Sequence, residues 1–129
     1  MSLSDIQNAQ DIDQLVRHFY MDKVLDDPII GFLFTDIAKI DIEEHLPKVS
    51  GFWQKVLLGS NSYQGKMFLA HEQLNNQVTL NEHHFVRWLY LFEQNIDELF
   101  EGKIAELAKK RARSVAKSML NGLNNEYKA

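Results

Sequence analysis

The chain contains no cysteine. That excludes a disulfide framework, a thiol nucleophile and a thiolate metal site, and it suits a reducing cytoplasm. Proline occurs twice and glycine six times in 129 residues, so long continuous elements are favoured over a turn-rich β architecture. No apolar run approaches the ~20 residues of a membrane span, and no basic-then-apolar leader precedes the first helical stripe. Positive charge is the minority sign: 14 Lys and Arg face 18 Asp and Glu, a formal net charge of −4. Such a chain does not concentrate phosphate polyanions, so nucleic acid is not an expected partner, and with no apolar span a membrane is not expected either. The basic run Lys109-Lys110-Arg111-Ala112-Arg113 lies in a helical pattern and reads as a solvated face.

Apolar residues make up 45% of the chain and charged residues 25%, the balance of a single globular domain that buries its own core. The apolar pattern is helical throughout. Ile12, Leu15, Val16, Phe19, Tyr20 and Val24 form the stripe of a first helix. Asp26-Asp27-Pro28 ends it, because proline lacks an N–H and restricts the residue before it. A bridging stretch with Phe32, Leu33 and Phe34 follows. A second helix is predicted over residues 41–58, opened by Asp41 with Glu44 in the manner of a capping box. Pro47 sits deeper than the harmless first helical position, so the helix either starts nearer Glu44 or is distorted in its first turn.

The stretch GSNSYQG, residues 59–65, is a loop by composition, and residues 66–74 form a short amphipathic piece. Thr79-Leu80-Asn81-Glu82 repeats the capping-box pattern and opens a helix bearing Phe85, Trp88, Leu89, Phe92, Ile96 and Leu99. Gly102 separates it from a last helix with Ile104, Ala108, Ala112, Val115, Met119 and Leu123. No repeat or linker divides the chain, and the expected fold is a single all-α domain.

The chemistry falls to five histidines. His18 lies beside the first apolar stripe and is expected to be partly exposed. His83 and His84 are adjacent, so on a helix they diverge by about 100° and do not form one site by themselves. The segment His71-Glu72-Gln73-Leu74-Asn75 begins like a zinc-protease motif but has Asn75 where the second histidine must stand. His45 shares a helix face with Val49, Phe52, Trp53 and Val56, and His71 shares one with Met67, Phe68 and Leu74. Each alone fits a core histidine satisfied by a backbone carbonyl. Together, on two apolar faces, they fit a pair flanking a flat apolar cofactor. Haem has those needs: a neutral imidazole ligand for iron and apolar walls for the macrocycle.

Several motifs in order carry a resemblance over most of residues 15–100: Phe19-Tyr20, Phe34, His45 with Phe52-Trp53, Leu57-Leu58-Gly59, Tyr63-x-Gly65, His71, and Arg87-Trp88-Leu89-x-Leu91-Phe92. In this order and spacing the chain resembles the truncated hemoglobins of the third group. The glycine pairs of the other truncated groups are missing, which agrees with the third. The resemblance implies a shortened globin fold, a two-over-two helical sandwich, with one truncated globin domain over residues 1–129. It implies haem b held by His71 as proximal ligand, and a distal set of Tyr20, His45, Val49 and Trp88. Phe34 is similar to the aromatic packed on the haem near the first corner. Met67 and Phe85 are expected to line the haem. Lys48, with Arg87 and His83, is a candidate for the propionates, or these are plain solvated side chains.

The implied ligands are O2, NO and CO. Bound oxygen takes on partial negative charge, and the Tyr20 O–H and Trp88 indole N–H are donors suited to an apolar pocket. One hydrogen bond of roughly 1–1.5 kcal/mol slows escape about tenfold. His45 is expected to contact the ligand or to swing as its gate. Reversible binding, as in oxygen transport, and redox turnover of the nitric oxide dioxygenase or peroxidase type both fit. Turnover needs a separate reductase, since no flavin or nicotinamide motif occurs. A monomer or weak dimer is expected. The competing class is a non-haem helical interaction or di-iron module. Di-iron bundles use Glu-x-x-His, yet Glu72 directly follows His71 and Glu44 directly precedes His45. An interaction module would leave His71 replaceable.

Overall fold

The computed structural model describes residues 3–37, 39, 41–59 and 82–126. Among these, every regular element is helical. α1 (Ala9–His18) runs directly into a π-helical segment, Phe19–Val24, and a second π-helical segment, Leu33–Ile37, follows a corner. α2 (Ile42–Leu58), α3 (Glu82–Leu99) and α4 (Lys103–Glu126) complete the fold. The expected piece over 66–74, the capping residues Thr79, Leu80 and Asn81, and the Leu123 side chain lie outside the described residues.

α1 packs on α2 and α3 on α4. The two pairs meet where α1 and its π extension lie against α3 and where α2 touches α4, which makes the two-over-two sandwich. α1 starts at Asn8, whose side chain accepts the Asp11 N–H at 2.9 Å, while Asp11 accepts the Gln7 N–H at 2.8 Å. Ile12, Leu15 and Val16 are buried as the stripe predicts. Beyond His18 the backbone departs from one continuous α-helix. The Leu25 N–H donates to the Tyr20 carbonyl, five residues back, at 3.1 Å. The wider turn lets Phe19 and Val24, five apart, enter the core together with Tyr20.

α2 begins at Ile42, and the Asp41 carboxylate accepts the N–H groups of Glu43 (3.1 Å) and Glu44 (3.4 Å). Pro47 therefore lies inside the helix, and the start does not move to Glu44. The bond it cannot make would go to the carbonyl of Glu43, an exposed residue of the first turn. Glu44 lies 3.7 Å from Lys48.

At the far end of the bundle, Asp5 caps α4 across the sequence, accepting the Ile104 and Ala105 N–H groups at 2.9 Å each. The Ser4 carbonyl accepts the Glu101 N–H at 3.0 Å. Gly102 has φ 147°, and a Cβ there would fall 2.4 Å from Asp5 Cγ, so the clasp requires glycine. Burial alone would raise the Asp5 carboxyl. The N–H groups of Ile104, Ala105, Ile6 and Lys103 outweigh it and hold the group below its ordinary value.

The core centres on Phe19, Phe92, Ile12, Leu15 and Ile96. Phe92 stacks with Trp53 at 4.8 Å and 22°, and with Trp88 at 5.2 Å and 12°. Asn95, 0% exposed, is satisfied there: its amide donates to the Leu15 carbonyl at 2.9 Å and its oxygen meets His18 Nδ1. His18 is half-buried, with Nε2 3.1 Å from Asp22.

Candidate functional site

The first π-helical segment sets Tyr20, 6% exposed, against α2. Its hydroxyl lies 3.2 Å from His45 Nε2, and the two rings meet edge to face at 5.1 Å and 88°. Phe34, on the second π-helical segment, meets Tyr20 at 5.5 Å and His45 at 6.4 Å. Burial pushes the Tyr20 hydroxyl well above its ordinary pKa, so it stays a neutral O–H. Phe19 touches both Tyr20 (5.2 Å) and Trp88 (6.0 Å), joining the phenol to the indole. Val49, one turn beyond His45, is half-buried, as are Phe85 and Trp88 on α3.

Of the expected site residues, the structure thus brings Tyr20, His45 and Phe34 into direct contact and connects Trp88 to them through one ring. Val49 and Phe85 pack against the same core. Lys48 is exposed and faces Glu44. His71 and Met67 lie outside the described residues.

Two further placements bear on the reading of the sequence. Arg87, a candidate for a propionate or a solvated side chain, is 30% exposed and ion-paired with Asp27. Its Nε and Nη2 donate to Asp27 Oδ1 at 2.9 and 2.6 Å, and its guanidinium lies 5.3 Å from the Tyr90 ring centre. His83 and His84, expected to diverge, have ring centres 4.2 Å apart. Burial, and then the neighbouring His83, lowers the His84 pKa.

Sequence reasoning passed over Asp27, reading it as part of a helix terminator. Its Oδ2 accepts the Ile29 and Ile30 N–H groups at 3.0 Å each. An aspartate just before a turn is the available signal for that role. Burial alone would raise this carboxyl, but Arg87 and the two N–H groups hold it below its ordinary value.

The described face combines a phenol, an imidazole and an indole with aromatic and β-branched walls. That donor set fits a haem-ligand pocket, which requires apolar walls and a few uncharged hydrogen-bond donors. Among the described residues, no three His, Asp or Glu side chains come together as metal ligands would. No described helix is long and apolar enough to cross a membrane.

No family model matches the chain. The chain is 30% identical over 119 residues to the group 3 truncated hemoglobin ctb of Campylobacter jejuni, covering 90% of this chain and 91% of that protein. Its structure is similar to the crystal structure of a group III truncated hemoglobin from Campylobacter jejuni. The TM-score is 0.79 and the identity 28%, over 95% of each chain. Sequence, architecture and donor set agree, and the chain belongs to the group 3 truncated hemoglobins, a globin family whose membership implies a haem cofactor.

Proposed function

We propose that the chain binds O2, with NO and CO as further ligands, in a haem pocket walled by Tyr20, His45, Val49 and Trp88. Residues 1–129 form one truncated globin domain around it. His71 holds the haem, as haem b, with Phe34, Met67 and Phe85 against the macrocycle and Lys48 toward the propionates. When bound, haem supplies an iron centre that takes a diatomic ligand.

The observation that carries this reading is the buried Tyr20 hydroxyl, 3.2 Å from His45 Nε2 at an apolar wall. If His45 Nε2 carries the proton, it donates to the phenol oxygen and leaves the Tyr20 O–H to donate into the pocket. If Nε2 is bare, it accepts that O–H instead. The imidazole tautomer therefore sets whether Tyr20 is available to a ligand, and a rotation of His45 also opens the way in. Trp88 offers a second N–H donor, and Val49 limits the space. Two donors favour slow release, which suits sensing or chemistry over delivery. Turnover of NO or peroxide would draw electrons from a separate reductase, with the chain acting as a monomer or weak dimer in the cytoplasm.

Absorption spectroscopy of protein purified with haem supplied tests the cofactor. A strong haem band, lost or displaced in His71→Ala, is expected; no band, or the same band in the variant, overturns the reading. In stopped-flow mixing, Tyr20→Phe is expected to release O2 about tenfold faster, the loss of one hydrogen bond.

A further inference from the structure

We propose that the Asp27–Arg87 pair is a strut that positions Trp88 in the ligand pocket, although neither side chain touches the ligand. The inference rests on the donor role given to Trp88 above. The Asp27 side chain is 2% exposed, and all its contacts are committed. One oxygen accepts two N–H groups of Arg87, and the other accepts the N–H groups of Ile29 and Ile30. This carboxylate therefore stands at the corner between the two π-helical segments, which carry Tyr20 and Phe34. The corner is tight: a Cβ on Gly31 would fall 2.8 Å from the Leu25 carbonyl oxygen.

Arg87 immediately precedes Trp88 on α3. Among the described residues, further polar ties from α3 run from its second half: Asn95 to Leu15, Glu98 to Lys23, Glu93 to Arg113 and Asp97 to Lys109. Nearer the start of the helix, Arg87 reaches the corner. The Trp88 ring rests on Phe19 and Phe92. Such apolar contacts fix depth but permit sliding, whereas a charge-assisted pair in which two guanidinium nitrogens converge on one buried oxygen adds a directional restraint. The pair thus sets the distance between the element bearing Tyr20 and the turn bearing Trp88.

The test measures O2 dissociation and the CO stretching frequency of the haem-loaded protein in Arg87→Met, Trp88→Phe, the double variant and Arg87→Lys. A strut predicts severalfold faster release in Arg87→Met and a CO stretch displaced toward that of Trp88→Phe. The double variant should release O2 no faster than Trp88→Phe alone, because both changes remove one interaction. Arg87→Lys, which keeps the charge but loses the fork, should fall between wild type and Arg87→Met. If Arg87→Met does not fold, Asp27→Asn takes its place in the same cycle.

A merely structural pair would lower the thermal midpoint and leave release rate and CO stretch unchanged. That result, or effects that multiply in the double variant, overturns the strut while leaving Trp88 as a donor. No change in Trp88→Phe itself overturns the donor role and the strut with it.

Discussion

The clasp at Asp5 and the corner at Asp27 each turn on a carboxylate that gathers backbone N–H groups, and both carboxyls are held below their ordinary pKa. They differ in what else they hold. Asp5 gives both oxygens to the backbone, of Ile6 and Ala105 on one and of Ile104 on the other, and so joins the chain's start to the head of α4. Asp27 divides its oxygens between its own turn and a guanidinium on α3, one residue before Trp88. The same device is a cap in one place and a coupling in the other, and the difference lies in whether the second partner can move a pocket residue.

The largest expected effect breaks the corner. Asp27→Ala leaves two backbone N–H groups and a partly buried Arg87 without an acceptor, and loss of one partner of such a pair costs about 3–5 kcal/mol. Urea unfolding should show that loss against a domain stability of roughly 5–15 kcal/mol. Asp5→Ala should cost about 1–2 kcal/mol, the scale of a lost cap, and leave O2 release untouched. Faster release in that variant would erase the distinction between the two regions.

Acid sharpens the same comparison. Unfolded carboxyls titrate near pH 4, and both native ones titrate lower. Their stabilisation is therefore complete above about pH 4 and disappears as pH falls through the depressed native values. Asp5→Asn should flatten this acid limb without changing ligand kinetics. The smallest effect is expected from Arg17→Ala. Its contact with Glu43 at 3.3 Å joins two side chains 56% and 73% exposed, and such pairs contribute under about 1 kcal/mol.

Much of the architecture is legible in periodicity, because Ile12, Leu15 and Val16 or Leu91, Phe92 and Ile96 can face one core only from helices. Periodicity stops being decisive at Phe19 to Val24. The same residues are buried by a π turn, and a spacing of five reads in sequence as a loosened α stripe. Pro47 was ambiguous because helix starts are set by the cap, and Asp41 fixes the start regardless of the proline. In the candidate site, the grouping of Tyr20, Phe34 and His45 is legible through the family resemblance, while His71 lies outside the described residues. Asp27 is not legible, since its chemistry appears only when folding brings it to Arg87, sixty residues away in the chain.

The ring stack at Phe92 has an optical consequence. The chain has two tryptophans, Trp53 on α2 and Trp88 on α3, and both lie on that one phenylalanine. Trp53 meets Phe92 across the α2–α3 contact, whereas Trp88 meets it from one turn earlier on α3 itself, so the Trp53 stack is the one that joins two helices. In haem-free protein that keeps Trp53 alone, as in Trp88→Phe, a change in ultraviolet-excited emission therefore marks the opening of the α2–α3 joint.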